Sequence, residues 1–132
     1  DSIFVMAYSS VALSPDGGAS WSLMRAVPRA TALELLLLGE RASAERLHQL
    51  GVVTRVAEPA AALSDALALV ERLNQRAPNA LASIKELANE ALTVPLHTQL
   101  ASERDHFVRN LHHGNGGEGI QAFLQRRQPQ YR

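Results

Sequence analysis

Val11-Ala12-Leu13-Ser14-Pro15-Asp16-Gly17-Gly18-Ala19-Ser20-Trp21-Ser22-Leu23-Met24-Arg25 is the stretch whose reading decides the fold of this chain. Pro15 fixes the backbone before Asp16, and Gly17 and Gly18 let it turn immediately after. From Gly18 onward the apolar residues Trp21, Leu23, Met24 and Val27 mark a helix. A carboxylate at the mouth of a helix, beside a large aromatic and several aliphatics, admits two readings. It is a turn residue or N-cap that accepts from the first free N–H groups. Or it is a general acid/base set against an apolar wall.

On either side of this stretch the punctuation is clear. Upstream, Ile3-Phe4-Val5-Met6 reads as a buried strand. Downstream, Pro28 interrupts the first helix, and a second is expected from about Ala30 to Leu38, closed by Gly39. Ser43 then caps a helix over Ala44 to Leu50, stopped by Gly51. Val52-Val53-Thr54-Arg55-Val56 is the only other strand-like run, and two short strands do not make a self-sufficient sheet. The chain therefore reads as the later part of a longer protein. From Ala60 the pattern is helical. Leu63, Leu67, Val70 and Leu73 form one apolar stripe and Leu81, Ile84 and Leu87 another, and Leu96, Leu100, Phe107 and Leu111 of a third helix are expected to face inward. Residues 1–59 then form an α/β part and residues 60–132 a helical subdomain.

Composition narrows the classes. Of 132 residues, 46% are apolar and 20% charged, enough to build a core and too ordered a mix for a disordered chain. Thirteen basic residues balance thirteen acidic ones, which argues against a nucleic-acid or anionic-membrane surface. Absence of cysteine rules out a disulfide scaffold, a thiolate metal site and a cysteine nucleophile. The aliphatic run Leu35 to Leu38 is far too short to span a bilayer and no signal peptide is visible, so a cytoplasmic protein is expected.

Several motif candidates fail on context. Gly114-Asn115-Gly116-Gly117-Glu118-Gly119 matches G-x-G-x-x-G literally, but a helix rather than a strand precedes it, so it reads as an interhelical loop. The five histidines show no i, i+4 ligand spacing with a carboxylate, which leaves capping or solvent-facing roles. Ser9, Ser10 and Ser14 lack a glycine-flanked elbow. The Arg126-Arg127 cluster is either a solvated helix end or a site for a phosphate-bearing ligand or partner.

Taken in order, Phe4 to Ser9, Leu13 to Trp21, Leu23-Met24-Arg25, Ala32 to Leu35, Leu38 to Glu45, Gly51-Val52-Val53, Ile84-Lys85 and Glu118 to Arg127 resemble the enoyl-CoA hydratase/isomerase (crotonase) superfamily across nearly the whole chain. Within it the chain is similar to the 2-(1,2-epoxy-1,2-dihydrophenyl)acetyl-CoA isomerase and enoyl-CoA isomerase branch. The family's hydratases carry a catalytic Glu at the position matching Tyr8, whereas the isomerase branch carries an acid where Asp16 stands. Two positions depart from the pattern: Pro28 replaces a usual glycine, and Gly18-Ala19-Ser20 stands for Gly-Gly-Thr.

The resemblance implies the C-terminal part of a crotonase-like (ClpP/crotonase) α/β fold, mostly α with two short strands and a helical oligomerisation tail. It implies an acyl-CoA isomerase in which Asp16 shuttles a proton through an enolate, Tyr8 and Trp21 line the substrate pocket, and Arg126 contacts CoA phosphates. No separate cofactor is implied, since CoA arrives with the substrate, and no metal. A trimer or hexamer is implied for the full-length protein. The two backbone donors of the oxyanion hole would lie upstream of residue 1, so residues 1–132 alone are expected to be inactive. Two rivals stand beside this reading, an enoyl-CoA hydratase and a non-catalytic helical assembly module.

Overall fold

A computed structural model describes residues 2–132. The chain divides into two compact units, one ending at Asp65 and the other spanning Ala66–Arg132. In the first unit, β1 (Ile3–Phe4) pairs antiparallel with β2 (Ala42–Ser43), with Ile3 opposite Ser43 and Phe4 opposite Ala42. Between them lie a 3₁₀ turn (Ala7–Val11), α1 (Ala19–Ala26) and α2 (Arg29–Leu38), and α3 (Ala44–Gln49) follows directly.

The breaks have local causes. Pro28 has no N–H to extend α1, and it holds the preceding Val27 in extended backbone (φ −136°, ψ 163°). The run from Ala32 to Leu38 consists largely of strong helix formers, and Gly39 ends it in the left-handed region (φ 62°). A Cβ on Gly39 would also stand only 2.9 Å from the Met6 carbonyl oxygen. Ser43 caps α3 by accepting from the Arg46 N–H at 3.1 Å. Leu23 and Val27 from the end of α1, and Ala32 and Leu36 from α2, each pair four apart, form the small core. Met6, Leu35 and Leu50 pack against it.

α4 (Ala62–Asn74) crosses the boundary between the units, and α5 (Pro78–Glu90), α6 (Leu96–Leu111) and α7 (Gly114–Gln125) build the second. Pro78 occupies the first turn of α5, where its missing N–H costs nothing. Polar side chains join α5 to α6. Asn79 and Ser83 bond to Asn110 at 2.7 and 2.9 Å, while Gln99 donates to the Leu87 carbonyl at 3.1 Å and Ser102 to Glu90 at 3.0 Å. The start of one helix thus meets the end of the other, so the two run antiparallel.

Four expectations need correction. Val52 to Val56 is not a strand: the N–H groups of Val52 and Val53 both donate to the Leu47 carbonyl, at 2.9 and 3.2 Å, which wraps the segment around the end of α3. The second strand is Ala42–Ser43 instead, and β1 is exposed rather than buried. The glycine run from Gly114 is not a loop but the opening of α7, because Gly116 lies so close to the last carbonyls of α6 that a Cβ would collide with the Asn110 oxygen. Finally, the α6 stripe does not face inward. Leu96 is 72% exposed and Phe107 68%, and Leu63, Leu67, Ile84, Leu100 and Leu111 are exposed with them.

Candidate functional site

The 3₁₀ turn holds Tyr8, and its end is fixed by Ala12 in the left-handed region and by the Leu13 N–H donating to the Tyr8 carbonyl at 2.9 Å. That reversal sends Pro15 and Asp16 back past the turn, and Gly17 (φ 56°) and Gly18 (φ 82°) then redirect the chain into α1. As a result the Tyr8 hydroxyl donates to Asp16 Oδ1 at 2.9 Å. Asp16 does not cap α1. The N-cap is Gly18, with no side-chain cap bond, and only the Asp16 carbonyl serves the turn, accepting from the Ala19 N–H at 3.0 Å. The exposed carboxylate is left with a single phenol partner and room for another group. Its hydrogen bond, followed by burial and its negative charge, raises the Tyr8 phenol above the usual value of 10.0. Tyr8 is therefore a protonated donor at neutral pH.

The structure brings Tyr8 and Asp16 together but gives Trp21 another setting. Trp21 is 59% exposed, and the Arg25 guanidinium stacks 3.9 Å from its ring centroid while donating to the Trp21 carbonyl at 3.3 Å. An apolar cavity of about 320 Å³ in the same unit is lined by Phe4, Met6, Leu23, Leu35, Leu47 and Val53 among others; neither Asp16 nor Tyr8 lines it. Arg126 is exposed at the C-cap of α7, in the left-handed region (φ 54°, ψ 38°). Among the described residues no three His, Asp or Glu side chains stand where they could hold a metal ion, and no helix is long and apolar enough to cross a membrane.

Beyond Arg126 the chain folds back over α7. Arg127 forks onto Glu118, Nη1 to Oε1 at 2.6 Å and Nη2 to Oε2 at 2.9 Å, and the Gln130 N–H adds a third bond to Oε1 at 2.8 Å. These donors, Arg127 first, pull the Glu118 carboxyl from 4.5 down to about 2. A depressed carboxyl stabilises the folded tail fully above 4.5 and loses that contribution as pH falls towards 2. The Glu118 carboxyl carbon, followed by NMR, is thus expected to titrate near the bottom of that range, with the Gln130 amide resonance moving in step. A midpoint near 4.5 would show that the fork does not persist in solution.

Two of these features have no periodic signature in the sequence. Tyr8 reads as pocket wall, and its donation to an acid eight residues away depends on a 3₁₀ turn and a left-handed alanine that no pattern announces. The Glu118–Arg127 fork closes around a helix end, nine residues apart, outside the i, i+4 rule. His113, by contrast, caps α7 as expected of these histidines, its Nδ1 accepting from the Asn115 N–H at 3.1 Å.

The sequence profile of the enoyl-CoA hydratase/isomerase family matches residues 1–132. The 1,2-epoxyphenylacetyl-CoA isomerase of Escherichia coli is 38% identical over 128 residues, 97% of this chain and 49% of that protein. The 2,3-dehydroadipyl-CoA hydratase of the same organism is 31% identical over 123 residues, 93% of this chain and 48% of that protein. The crystal structure of an enoyl-CoA hydratase from Polaromonas sp. JS666 superimposes with a TM-score of 0.95 at 67% identity, covering 99% of this chain and 51% of the other. The chain spans about half the length of the curated relatives it matches.

Proposed function

The chain belongs to the enoyl-CoA hydratase/isomerase family and shares the crotonase fold, and from that premise we propose that it carries the proton-shuttling carboxylate of an acyl-CoA isomerase. The observation that carries this reading is the Tyr8 hydroxyl resting 2.9 Å from Asp16 Oδ1. Where the resemblance puts a hydratase's glutamate, this chain has a phenol, and the phenol donates to the Asp16 carboxylate. One carboxylate suits a shuttle. It takes a proton from the carbon beside the thioester, the enolate forms while backbone donors hold its oxygen, and the same carboxyl group returns the proton to another carbon, moving the double bond. The donors of that oxyanion hole come, on this reading, from outside residues 1–132, and CoA arrives with the substrate, so no separate cofactor is needed. Trp21 and Tyr8 are proposed as pocket wall, and Arg126 as a contact for the CoA phosphates.

A hydratase is the second reading, supported by the name of the 67%-identical solved relative. The two differ in product. Full-length protein given a β,γ-enoyl-CoA is expected to yield the α,β-isomer without taking up water. A 3-hydroxyacyl-CoA as the first product from an α,β-enoyl-CoA, with no double-bond migration, would replace isomerase by hydratase.

The exposed stripes bear on assembly. Phe123 at 82% and Leu124 at 74% exposure join Leu96 and Phe107 as large apolar side chains left uncovered by residues 2–132, a surface that calls for a partner. The full-length protein is proposed to be a trimer or hexamer built on this tail. Light scattering is expected to give three or six subunit masses, and a stable monomer at micromolar concentration would count against it.

A further inference from the structure

Arg126 and Arg127 are adjacent, yet the structure treats them oppositely. Each guanidinium nitrogen of Arg127 is engaged: Nη1 and Nη2 on Glu118, Nη1 also on the Gln128 carbonyl at 3.1 Å, and Nε on Gln125 Oε1 at 2.7 Å. Among the described residues no hydrogen bond or ion pair holds the Arg126 guanidinium, and its backbone is the strained one, left-handed with a Cβ present. What fixes that conformation lies on both sides of it. Before it, the Arg126 and Arg127 N–H groups donate to the Phe123 and Ala122 carbonyls at 3.2 and 3.0 Å. After it, the chain end is strapped down: Asn115 donates to the Arg132 carbonyl at 2.8 Å and accepts from its N–H at 3.0 Å, and Tyr131 lies over Gly119, where a Cβ would stand 3.1 Å from the phenol oxygen.

We propose that the Glu118–Arg127 fork is a positioning device, which folds the chain end back so that Arg126 alone is presented, at a fixed place on the end of α7, to the phosphate-bearing part of an acyl-CoA. This rests on the reading of Arg126 as a phosphate contact and extends it to two residues that touch no ligand themselves. The tail engages every guanidinium nitrogen of Arg127 and gives Arg126 no partner among the described residues, so the free cation's position is set by the fork. A strap whose only task is to hold α7 needs no free arginine at the strained position.

Two thioesters of one acyl group decide the matter in the full-length protein, one on CoA and one on pantetheine, which lacks the phosphates. Glu118→Gln and Arg127→Lys are each expected to raise KM for the acyl-CoA roughly 5- to 10-fold, with kcat within about twofold, and to leave the pantetheine thioester unaffected. Arg126→Ala is expected to show the same selectivity with a larger rise. Adding Glu118→Gln to it should change nothing further, because the fork then has nothing left to place. If Arg126→Ala raises KM and neither fork variant does, the fork is a structural strap and the inference fails while the phosphate reading survives. If Arg126→Ala itself leaves KM unchanged, the phosphate reading fails and the inference with it. Equal losses on both thioesters in the fork variants, or a fall in melting temperature that tracks the KM change, would likewise assign the fork to stability alone.

Discussion

Asp16→Asn in the full-length protein is expected to slow acyl-CoA isomerisation by roughly 10²–10⁴, the usual contribution of a positioned general acid/base. The substitution is close to isosteric, and the amide oxygen can still accept from Tyr8 at the 2.9 Å position that the carboxylate oxygen holds. The turn itself is unaffected, because it is made by the Asp16 carbonyl and by Gly17 and Gly18, not by the side chain. What asparagine cannot do is accept a proton and return it. Melting temperature and acyl-CoA affinity should therefore stay near wild type while kcat falls. A cap or turn role predicts unchanged turnover instead, with little stability lost because asparagine caps about as well as aspartate, and Gly18 at the N-cap already speaks against it. Wild-type kcat in this variant would remove Asp16 from the chemistry.

The second large effect is expected at Arg126. Truncation to alanine should raise KM for an acyl-CoA by roughly 10- to 100-fold, since a hydrogen bond to a charged group contributes about 1.5–3 kcal/mol and each 1.4 kcal/mol is tenfold. kcat should change far less, because the phosphates lie remote from the reacting carbons and the contact is made equally in ground and transition states. Alanine should fit the fold, with a smaller side chain in the same left-handed conformation that Ala12 and Ala60 already adopt. An unchanged KM would return Arg126 to a solvated helix end.

How far the sequence carried this structure depends on what each signal measures. Pro28, Gly39, Ser43 and Gly51 mark the helix boundaries of the first unit to within a residue or two, because each acts through its own backbone or its nearest N–H. Val52 to Val56 misled, because β-branched residues report a liking for extended, half-buried backbone, and here two bonds to the Leu47 carbonyl bend the segment back around the end of α3 instead. Gly114 to Gly119 misled for the opposite reason. Glycine disfavours helix in general, yet at Gly116 only glycine clears the carbonyls at the end of α6. The stripes of α4 and α6 were legible as periodicity, but periodicity does not say which partner covers a stripe, and exposure of Leu63, Leu96 and Phe107 separates the two questions. At the candidate site, Pro15-Asp16-Gly17-Gly18 marked Asp16 as a carboxylate at a chain reversal, while its contact with Tyr8 depends on tertiary closure.

Hydrogen exchange reports most directly on the claim that Asp16 moves protons at the carbon beside the thioester. A β,γ-enoyl-CoA incubated in deuterated water with the full-length protein, and followed by proton NMR, is expected to lose its α-hydrogen signal as fast as or faster than the double bond migrates. With Asp16→Asn the signal should persist although the thioester still binds with wild-type affinity. Exchange at the wild-type rate in Asp16→Asn would contradict the account and place the shuttle on another group.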